Sequence, residues 1–446
     1  MNKIFGTDGI RTKAGAGILT PDNVRKIGTG FANWVIAHSN KHRPAVMIAR
    51  DTRISGPQIC AATKAGILTR AIDVFDAAIL PTPVLQATMK TYNIDYALMI
   101  TASHNRFEDN GIKCFYQGNK LSKEQEHSLN TYITVALNED NQEKNQNVTS
   151  FGAEYALSDA PILYHQFIKR QFSYLSLTNL HIVIDCAYGA FSDIATHILR
   201  SFGARVTAIN THYDGMNINA NSGALHPEHL IETVVTQKAD LGIACDGDGD
   251  RSILVTKDGI VKDGDDIIAL LAQHPRYASE STIIGTITTN QGLEEHITNK
   301  GKQFIRTSVG DAWVKSALTE HSACLGGEPS GHIIVRDITS GSDALVTTLL
   351  LIETAQKTDN MGFSTFKKHA QKKLSIPISQ QLDLEHGPAQ DMIKKYQTQL
   401  SSGRIIVRYS GTEPVLRICI ESKHDQEIND MWHSLYDDFL QLHTGL

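Results

Sequence analysis

The chain has 446 residues, enough for three or four separately cored domains at roughly 100–200 residues each. Its 41% hydrophobic and 20% charged residues form an ordinary globular balance, which excludes a largely disordered chain. The formal net charge of −6 argues against a broad nucleic-acid or membrane-surface binder, since both need a basic face, and leaves room only for a local basic pocket that takes a small anion.

The opening MNKIFGTDGIR lacks a basic segment, an apolar core and a small-residue cleavage site, so no signal peptide is expected. The most apolar stretch, Leu345 to Ile352, contains Thr347 and Thr348, ends at Glu353, and is too short to span a bilayer. The cysteines (Cys60, Cys114, Cys186, Cys245, Cys324, Cys419) form no CxxC pair and are expected as small buried thiols. These features predict a cytoplasmic, multidomain protein.

One pattern is written three times. The apolar run from Ala45 ends in the polar turn Arg50-Asp-Thr-Arg-Ile-Ser-Gly, and a helix over Gln58 to Arg70 and a strand over Val74 to Leu80 follow. Pro81-Thr-Pro opens another helix, and the strand from Tyr96 runs into Thr101-Ala-Ser-His-Asn. The second copy has strands at His181–Asp185, Arg205–Ile209 and Leu241–Ala244, the last running into Asp246-Gly-Asp-Gly-Asp-Arg. The third has strands from Thr282, from Gln303 and near Ala323, the last running into Gly327-Glu-Pro-Ser-Gly-His. Strand–helix alternation at this spacing predicts βαβ units and mixed or mostly parallel sheets, with ligands beyond the strands' carboxyl ends.

The polar run Asn138–Asn147 predicts a loop closing the first unit. The expected division is 1–150, 151–252, 253–367 and 368–446, the last a smaller α+β domain with strands at Arg404–Arg408 and Val415–Ile420.

Four loops carry chemistry. In Asp246-Gly-Asp-Gly-Asp250 the alternating carboxylates repel one another, and without a cation at least one pKa must rise. The glycines let the oxygens converge, and hard divalent cations prefer such ligands. An EF-hand is excluded, because its sixth and twelfth positions would fall on Arg251 and Lys257. An acidic surface turn is the competing reading, disfavoured because the loop follows a buried-looking strand. Ser103 in Thr101–Asn105 is a candidate nucleophile that needs a base, a metal or prior modification; no G-x-S-x-G elbow surrounds it. A phosphoserine there would suit the metal, and Lys113 can return toward the same loop. A simple Ser/Asn turn with His104 as filler stays open. In Gly327–His332, Glu328 can accept from two sugar hydroxyls and Ser330 can donate or accept, although taken alone the motif is a weak signal and a tight turn with exposed polar residues is the stronger reading. Arg408-Tyr-Ser-Gly-Thr412 has the parts of a phosphate cradle, with a hairpin turn as the alternative.

The set FGTDGIR, TASHN, DGDGDR, GEPSGH and RYSGTEP, in that order from Phe5 to Pro414, resembles the α-D-phosphohexomutase superfamily. The resemblance implies α/β architecture: three similar mixed-sheet domains plus a smaller C-terminal α+β domain around a central cleft. It implies a phosphoserine at Ser103 and one Mg²⁺ per chain held by that phosphate with Asp246, Asp248 and Asp250. Lys113 matches the general base, Arg11 and His104 flank the phosphoserine, and Arg251 lies beside the metal. Glu328, Ser330 and His332 match the sugar-reading loop; Arg408, Ser410, Gly411 and Thr412 match the phosphate-binding loop.

FGTDGIR, Asn217-Ile-Asn, Val309-Gly-Asp311 and SGTEP favour the amino-sugar branch. The implied reaction interconverts glucosamine 6-phosphate and glucosamine 1-phosphate through a bisphosphate that turns around in the cleft, on the route to UDP-N-acetylglucosamine. A sugar bisphosphate would act as activator. The partners would be a hexosamine or hexose phosphate, with no nucleic acid and no membrane, and a homodimer is left open. Thr12, Arg106, Ala312, Pro329 and Tyr409 depart from the common pattern, and the changes at 312, 329 and 409 fall in loops expected to face the sugar. A phosphomannomutase/phosphoglucomutase is therefore the second expectation, and a sugar-phosphate-binding protein without turnover the third. A metal phosphomonoesterase is disfavoured, because a closed cleft with a distal anchor suits transfer over hydrolysis.

Overall fold

Near-continuous apolar runs suit strands covered on both faces, and they become the centres of three sheets. In the computed structural model, which describes residues 4–6, 8–139, 150–410 and 414–444, Ala45–Arg50 lies parallel between Asp73–Ile79 and Tyr96–Ile100. His181–Asp185 lies likewise between Arg205–Ile209 and Leu241–Cys245, and Thr282–Thr286 between Gln303–Thr307 and Leu325–Gly327. All of these strands fall within a few residues of the expected positions.

Each third strand then meets an antiparallel return strand that the alternation rule does not reveal. The returns are Asp109–Tyr116, Ser252–Thr256 and Ile333–Val335. The connections are residues 101–108, 246–251 and 328–332, so the three polar clusters occupy one topological position. An antiparallel connection can be short, and each cluster is therefore pinned at both ends by its sheet.

The sheets do not break where composition changes. Glu154–Ala156 pairs with Asp73–Ile79 and extends the first sheet past residue 150. Ser252–Thr256 and Val261–Lys262 complete the second sheet past residue 252. Asn138, expected in a loop, ends the helix Lys123–Asn138, and residues 140–147 of that polar run lie outside the described residues.

The tail forms an antiparallel sheet with Val415–Ser422 between Ala370–Pro377 and Gly403–Tyr409. Helices Pro388–Gln397 and Asp425–Thr444 complete this α+β unit, whose core gathers Ile376, Leu416, Ile418, Ile428, Leu435 and Phe439. A separate core runs continuously from Met47, Leu85 and Phe115 through Tyr164, Ile184 and Leu254 to Ile268, Leu325 and Leu349. Sharing one close-packed interior fixes the first three sheets, and hence their loops, relative to one another. The apolar stretch Leu345–Ile352 lies inside the buried helix Ala344–Lys357, and no helix among the described residues is long and apolar enough to cross a membrane. All cysteines are free; Cys324 is half-buried and the others are buried.

Candidate active site

The serine loop leaves the fully buried strand Tyr96–Ile100 and turns sharply. Ser103 is buried and adopts φ +52°, a left-handed conformation that a side-chain-bearing residue holds only under constraint. Its N–H donates to Thr101 Oγ1 at 2.9 Å, and Thr101 Oγ1 donates to Asp51 Oδ2 at 2.7 Å. The Ser103 hydroxyl then points out of its own unit and donates to Asp246 Oδ2 at 2.7 Å. His104 Nδ1 lies 3.4 Å from the same hydroxyl.

The acidic loop curls as its glycines permit. Gly249 has φ +78°, and a Cβ there would meet the Phe191 ring at 2.3 Å, so glycine is required twice over. Asp246, Asp248 and Asp250 are all buried, and one oxygen from each lies within 4.8 Å of the others. Asp248 Oδ2 accepts from Thr82 Oγ1 at 2.6 Å and Lys113 Nζ at 2.8 Å, and Asp250 Oδ2 accepts from Lys113 at 3.0 Å. Asp246 Oδ1 accepts from the Arg251 N–H at 3.1 Å.

Among the described residues, Asp248 Oδ1 and Asp250 Oδ1 are buried without a hydrogen-bond partner. Leaving such oxygens unsatisfied is costly. Two of them in an all-oxygen set suit a hard divalent cation better than zinc or copper. Burial, with Asp250 and Asp248 adding repulsion, pushes the Asp246 carboxyl up to about 8. Burial would raise Asp250 too, but Lys113, His332, Lys120 and Arg251 together outweigh it and hold that carboxyl low.

Lys113 is buried at the centre of this charge. Burial disfavours its ammonium, yet Asp248, Asp250 and Asp8 together hold its pKa well above the ordinary value. Asp8 Oδ2 lies 3.2 Å from Lys113 Nζ and accepts from Arg11 Nη2 at 3.1 Å; Arg11 Nη1 donates to Asn105 Oδ1 at 3.1 Å. Burial, reinforced by Arg251 and Arg11, drives the His104 imidazole down to about 3.

The third loop joins through His332, whose Nε2 lies 4.0 Å from Asp250 Oδ2 and 3.8 Å from Asp311 Oδ2. Gly331 has φ +87°, and a Cβ there would strike Ser252 O at 2.2 Å, which locks this loop onto the second unit. Glu328 Oε1 accepts from the Gly310 N–H at 2.9 Å, and its charge is felt by both Arg251 and Arg408. Burial and the cross-strand neighbour Arg417 lower the Arg408 pKa, while Glu328 opposes them. Ser330 is half-buried and Ser410 is buried. Gly411 and Thr412 lie outside the described residues.

Several side chains escaped the motif reading. Asp8 and Asp311 clasp Lys120, which lies 2.7 Å from Asp8 Oδ1, and so bridge the first and third units. Asp8 sits inside FGTDGIR, where the motif already pointed; Lys120 has no motif at all. Arg53 and Asn219, each buried, bind the carbonyl of Ser103 itself. Tyr409 corrects an expectation: its hydroxyl bonds Leu382 N at 2.7 Å and His443 Nε2 at 3.1 Å. It ends the strand Gly403–Tyr409 instead of lying in a loop, and alternation turns it toward the tail unit's core, on the opposite face from Arg408.

Comparison with known proteins agrees with this architecture. Four models of the phosphoglucomutase/phosphomannomutase family match: alpha/beta/alpha domains I, II and III over residues 2–139, 163–259 and 263–373, and the C-terminal domain over 388–437. A phosphoglucosamine mutase of Psychrobacter sp. is 36% identical over 450 residues, covering 98% of this chain and 99% of that one. One of Marinomonas sp. is 36% identical over 448 residues, covering 98% of each. A solved phosphoglucomutase/phosphomannomutase family protein of Burkholderia thailandensis superposes with TM-score 0.80 at 25% identity, over 99% of this chain and 97% of that one. Aspergillus fumigatus N-acetylphosphoglucosamine mutase, solved with GlcNAc-6P and magnesium, shares the fold at TM-score 0.65 and 15% identity, over 99% and 96% of the two chains. With nearly its full length matched and three of its polar loops meeting at one acidic centre, the chain belongs to the phosphoglucomutase/phosphomannomutase family and is a phosphohexomutase, an isomerase.

Proposed function

We propose that this enzyme interconverts glucosamine 6-phosphate and glucosamine 1-phosphate, with Ser103 as the phosphoryl carrier. The observation that carries the reading is the 2.7 Å contact of the Ser103 hydroxyl with Asp246, which sets a nucleophile against an acidic trio from a different unit. The choice of sugar rests on the full-length relatives named phosphoglucosamine mutase. A phosphomannomutase/phosphoglucomutase is the second reading, supported by the family models and the Burkholderia neighbour.

In this reading Ser103, loaded as phosphoserine, gives its phosphoryl group to the sugar 1-hydroxyl. The bisphosphate reorients, and Ser103 takes back the 6-phosphoryl. Asp246, Asp248 and Asp250 would hold Mg²⁺, which would offset charge on the transferring group. Arg11 and Arg251 bring fixed positive charge to the same region, and His104, neutral, can donate a hydrogen bond without adding charge. Lys113 can serve as base only once Asp248 and Asp250 are drawn away from it, since they favour its ammonium. Glu328, Ser330 and His332 would read the sugar hydroxyls. Arg408, with Ser410, Gly411 and Thr412, would hold whichever phosphate is not reacting.

The pairing of strands supports domains that end near 156, 262 and 369, the last before the sheet beginning at Ala370. A cytoplasmic location belongs to this reading, since a charged sugar phosphate does not cross bilayers unaided. The test is kcat/KM for glucosamine, glucose and mannose 6-phosphates, each with and without glucose 1,6-bisphosphate. A marked preference for glucosamine 6-phosphate supports the reading; equal or greater rates on glucose or mannose 6-phosphate overturn the choice of sugar.

A further inference from the structure

Two buried donors that phosphoryl transfer leaves unused grip the Ser103 loop from opposite units. Arg53 has a side chain with no solvent exposure. Its Nη2 donates to Ser103 O at 2.9 Å and to Asn105 O at 2.8 Å. Its Nη1 donates to Asp109 O at 3.0 Å and to Arg106 O, and its Nε donates to Asp51 Oδ2 at 2.9 Å. Asn219, from the second unit, donates Nδ2 to the same two carbonyls, Ser103 O at 2.8 Å and Asn105 O at 2.9 Å. Each carbonyl thus takes one donor from each unit.

The surrounding seam is tied as well. Across it Thr52 Oγ1 donates to Tyr188 O at 2.7 Å and Ile54 N–H to Gly215 O at 2.9 Å, while within the second unit Asn219 N–H donates to Ala187 O at 2.9 Å and fixes Asn219 itself. A buried guanidinium costs desolvation unless every N–H finds an acceptor, and here Asp51 and four carbonyls supply them. The left-handed backbone of Ser103 persists only where its surroundings over-determine it. Arg53 and Asn219 do so at the serine carbonyl, and Thr101 does so at the serine N–H.

We propose that Arg53 and Asn219 are positioning residues for phosphoryl transfer, holding Ser103 in the conformation that aims its Oγ at the acidic trio. Neither touches the reacting atoms; both act through the Ser103 carbonyl. Asn219 makes that aim depend on the second unit being docked, so the nucleophile is set only where the metal-binding loop is in place. The proposal rests on Ser103 being the phosphoryl carrier.

Asn219 itself has φ +57°, which glycine adopts freely, so Asn219→Gly deletes the amide without straining the backbone. Asn219→Asp keeps the shape and turns a donor into an acceptor facing two carbonyls. Arg53→Lys keeps the charge but not the fork; if it does not fold, the Asn219 variants decide. For each, kcat and KM for glucosamine 6-phosphate are measured, with the rate at which glucose 1,6-bisphosphate phosphorylates Ser103, read by intact mass. Rates are normalised to the folded fraction by circular dichroism. The expected result is a fall of roughly 10–100-fold in kcat and in Ser103 loading, the scale of a small misplacement, with KM within about twofold and Asp worse than Gly. Wild-type kcat in Asn219→Gly, a loss confined to KM, or a loss that merely tracks the folded fraction overturns the proposal. Ser103→Ala, run alongside, separates the two levels. If it turns over, the carrier assignment fails; if it is dead while both Asn219 variants keep wild-type kcat, only the positioning role fails.

Discussion

The Ser103 hydroxyl donates to Asp246 Oδ2 at 2.7 Å although 143 positions separate the two residues. Ser103 follows the strand Tyr96–Ile100 of the first sheet and Asp246 follows Leu241–Cys245 of the second, each at the turn into an antiparallel return strand, so a repeated topology brings them face to face.

Ser103→Ala should lower turnover by at least ~10³-fold, the scale of losing a nucleophile, while leaving circular dichroism and Tm close to wild type. The deletion removes one hydroxyl at a site whose backbone is held by Thr101 and Arg53. A folded, active alanine variant would remove the serine from the reaction.

Chelation should silence the enzyme, and Mg²⁺ should restore it. Asp248→Asn should reduce kcat/KM by roughly 10²–10³-fold and raise the Mg²⁺ concentration needed for half-maximal activity, because it replaces an anionic ligand with a neutral one. An unchanged Mg²⁺ titration in a folded variant would take Asp248 out of the metal site.

Arg408→Ala should act mainly on binding. A charge-assisted, bidentate phosphate contact is worth about 1.5–3 kcal/mol, so KM should rise roughly 10–100-fold with a smaller change in kcat. KM at the wild-type value would show that the half-buried guanidinium anchors nothing.

Asp343, whose neighbours Ser342 and Ala344 hydrogen-bond the backbone of the acidic loop at Asp250 and Gly249, provides a pH-dependent test of stability. It caps the helix Ala344–Lys357, accepting from the Leu345 and Val346 N–H groups at 3.0 Å and from Tyr164 OH at 2.8 Å. Burial nonetheless pushes its carboxyl up from the ordinary carboxylate range to about 6. The folded state therefore binds the proton more tightly than the unfolded chain does. Its contribution is complete below about pH 4 and is lost as pH rises through about 6. Relative to Asp343→Asn, the wild type should lose about 1–3 kcal/mol between pH 4 and 7, seen as a diverging pair of urea midpoints. A constant difference across that range would contradict the assignment.

The functional loops were readable because each concentrates its chemistry in a few consecutive residues. Asp246, Asp248 and Asp250 alternate with glycine, so their convergence is a local backbone property, and their cation-seeking character follows from repulsion alone. The strands on either side were readable from short apolar runs. The antiparallel returns were not, because a strand such as Asp109–Tyr116 opens with polar residues and earns burial only from its neighbours.

Strand Glu154–Ala156 was not legible for the same reason: three exposed residues carry no alternation of their own, and only the pairing with Asp73–Ile79 shows that they extend the first sheet. The sequence by itself determined the strand order's raw material, the acidic trio and the serine loop, all set by interactions within a few residues. The tertiary structure alone decided which oxygen Ser103 faces, that Lys113 sits among Asp8, Asp248 and Asp250, that Tyr409 turns inward, and that Arg53 and Asn219 meet at one carbonyl. The relations of Ser103, Lys113 and Asn219 join residues from different sheets, whose distances are fixed by the shared apolar interior that packs the first three sheets together, while Tyr409 is set by the tail's own core.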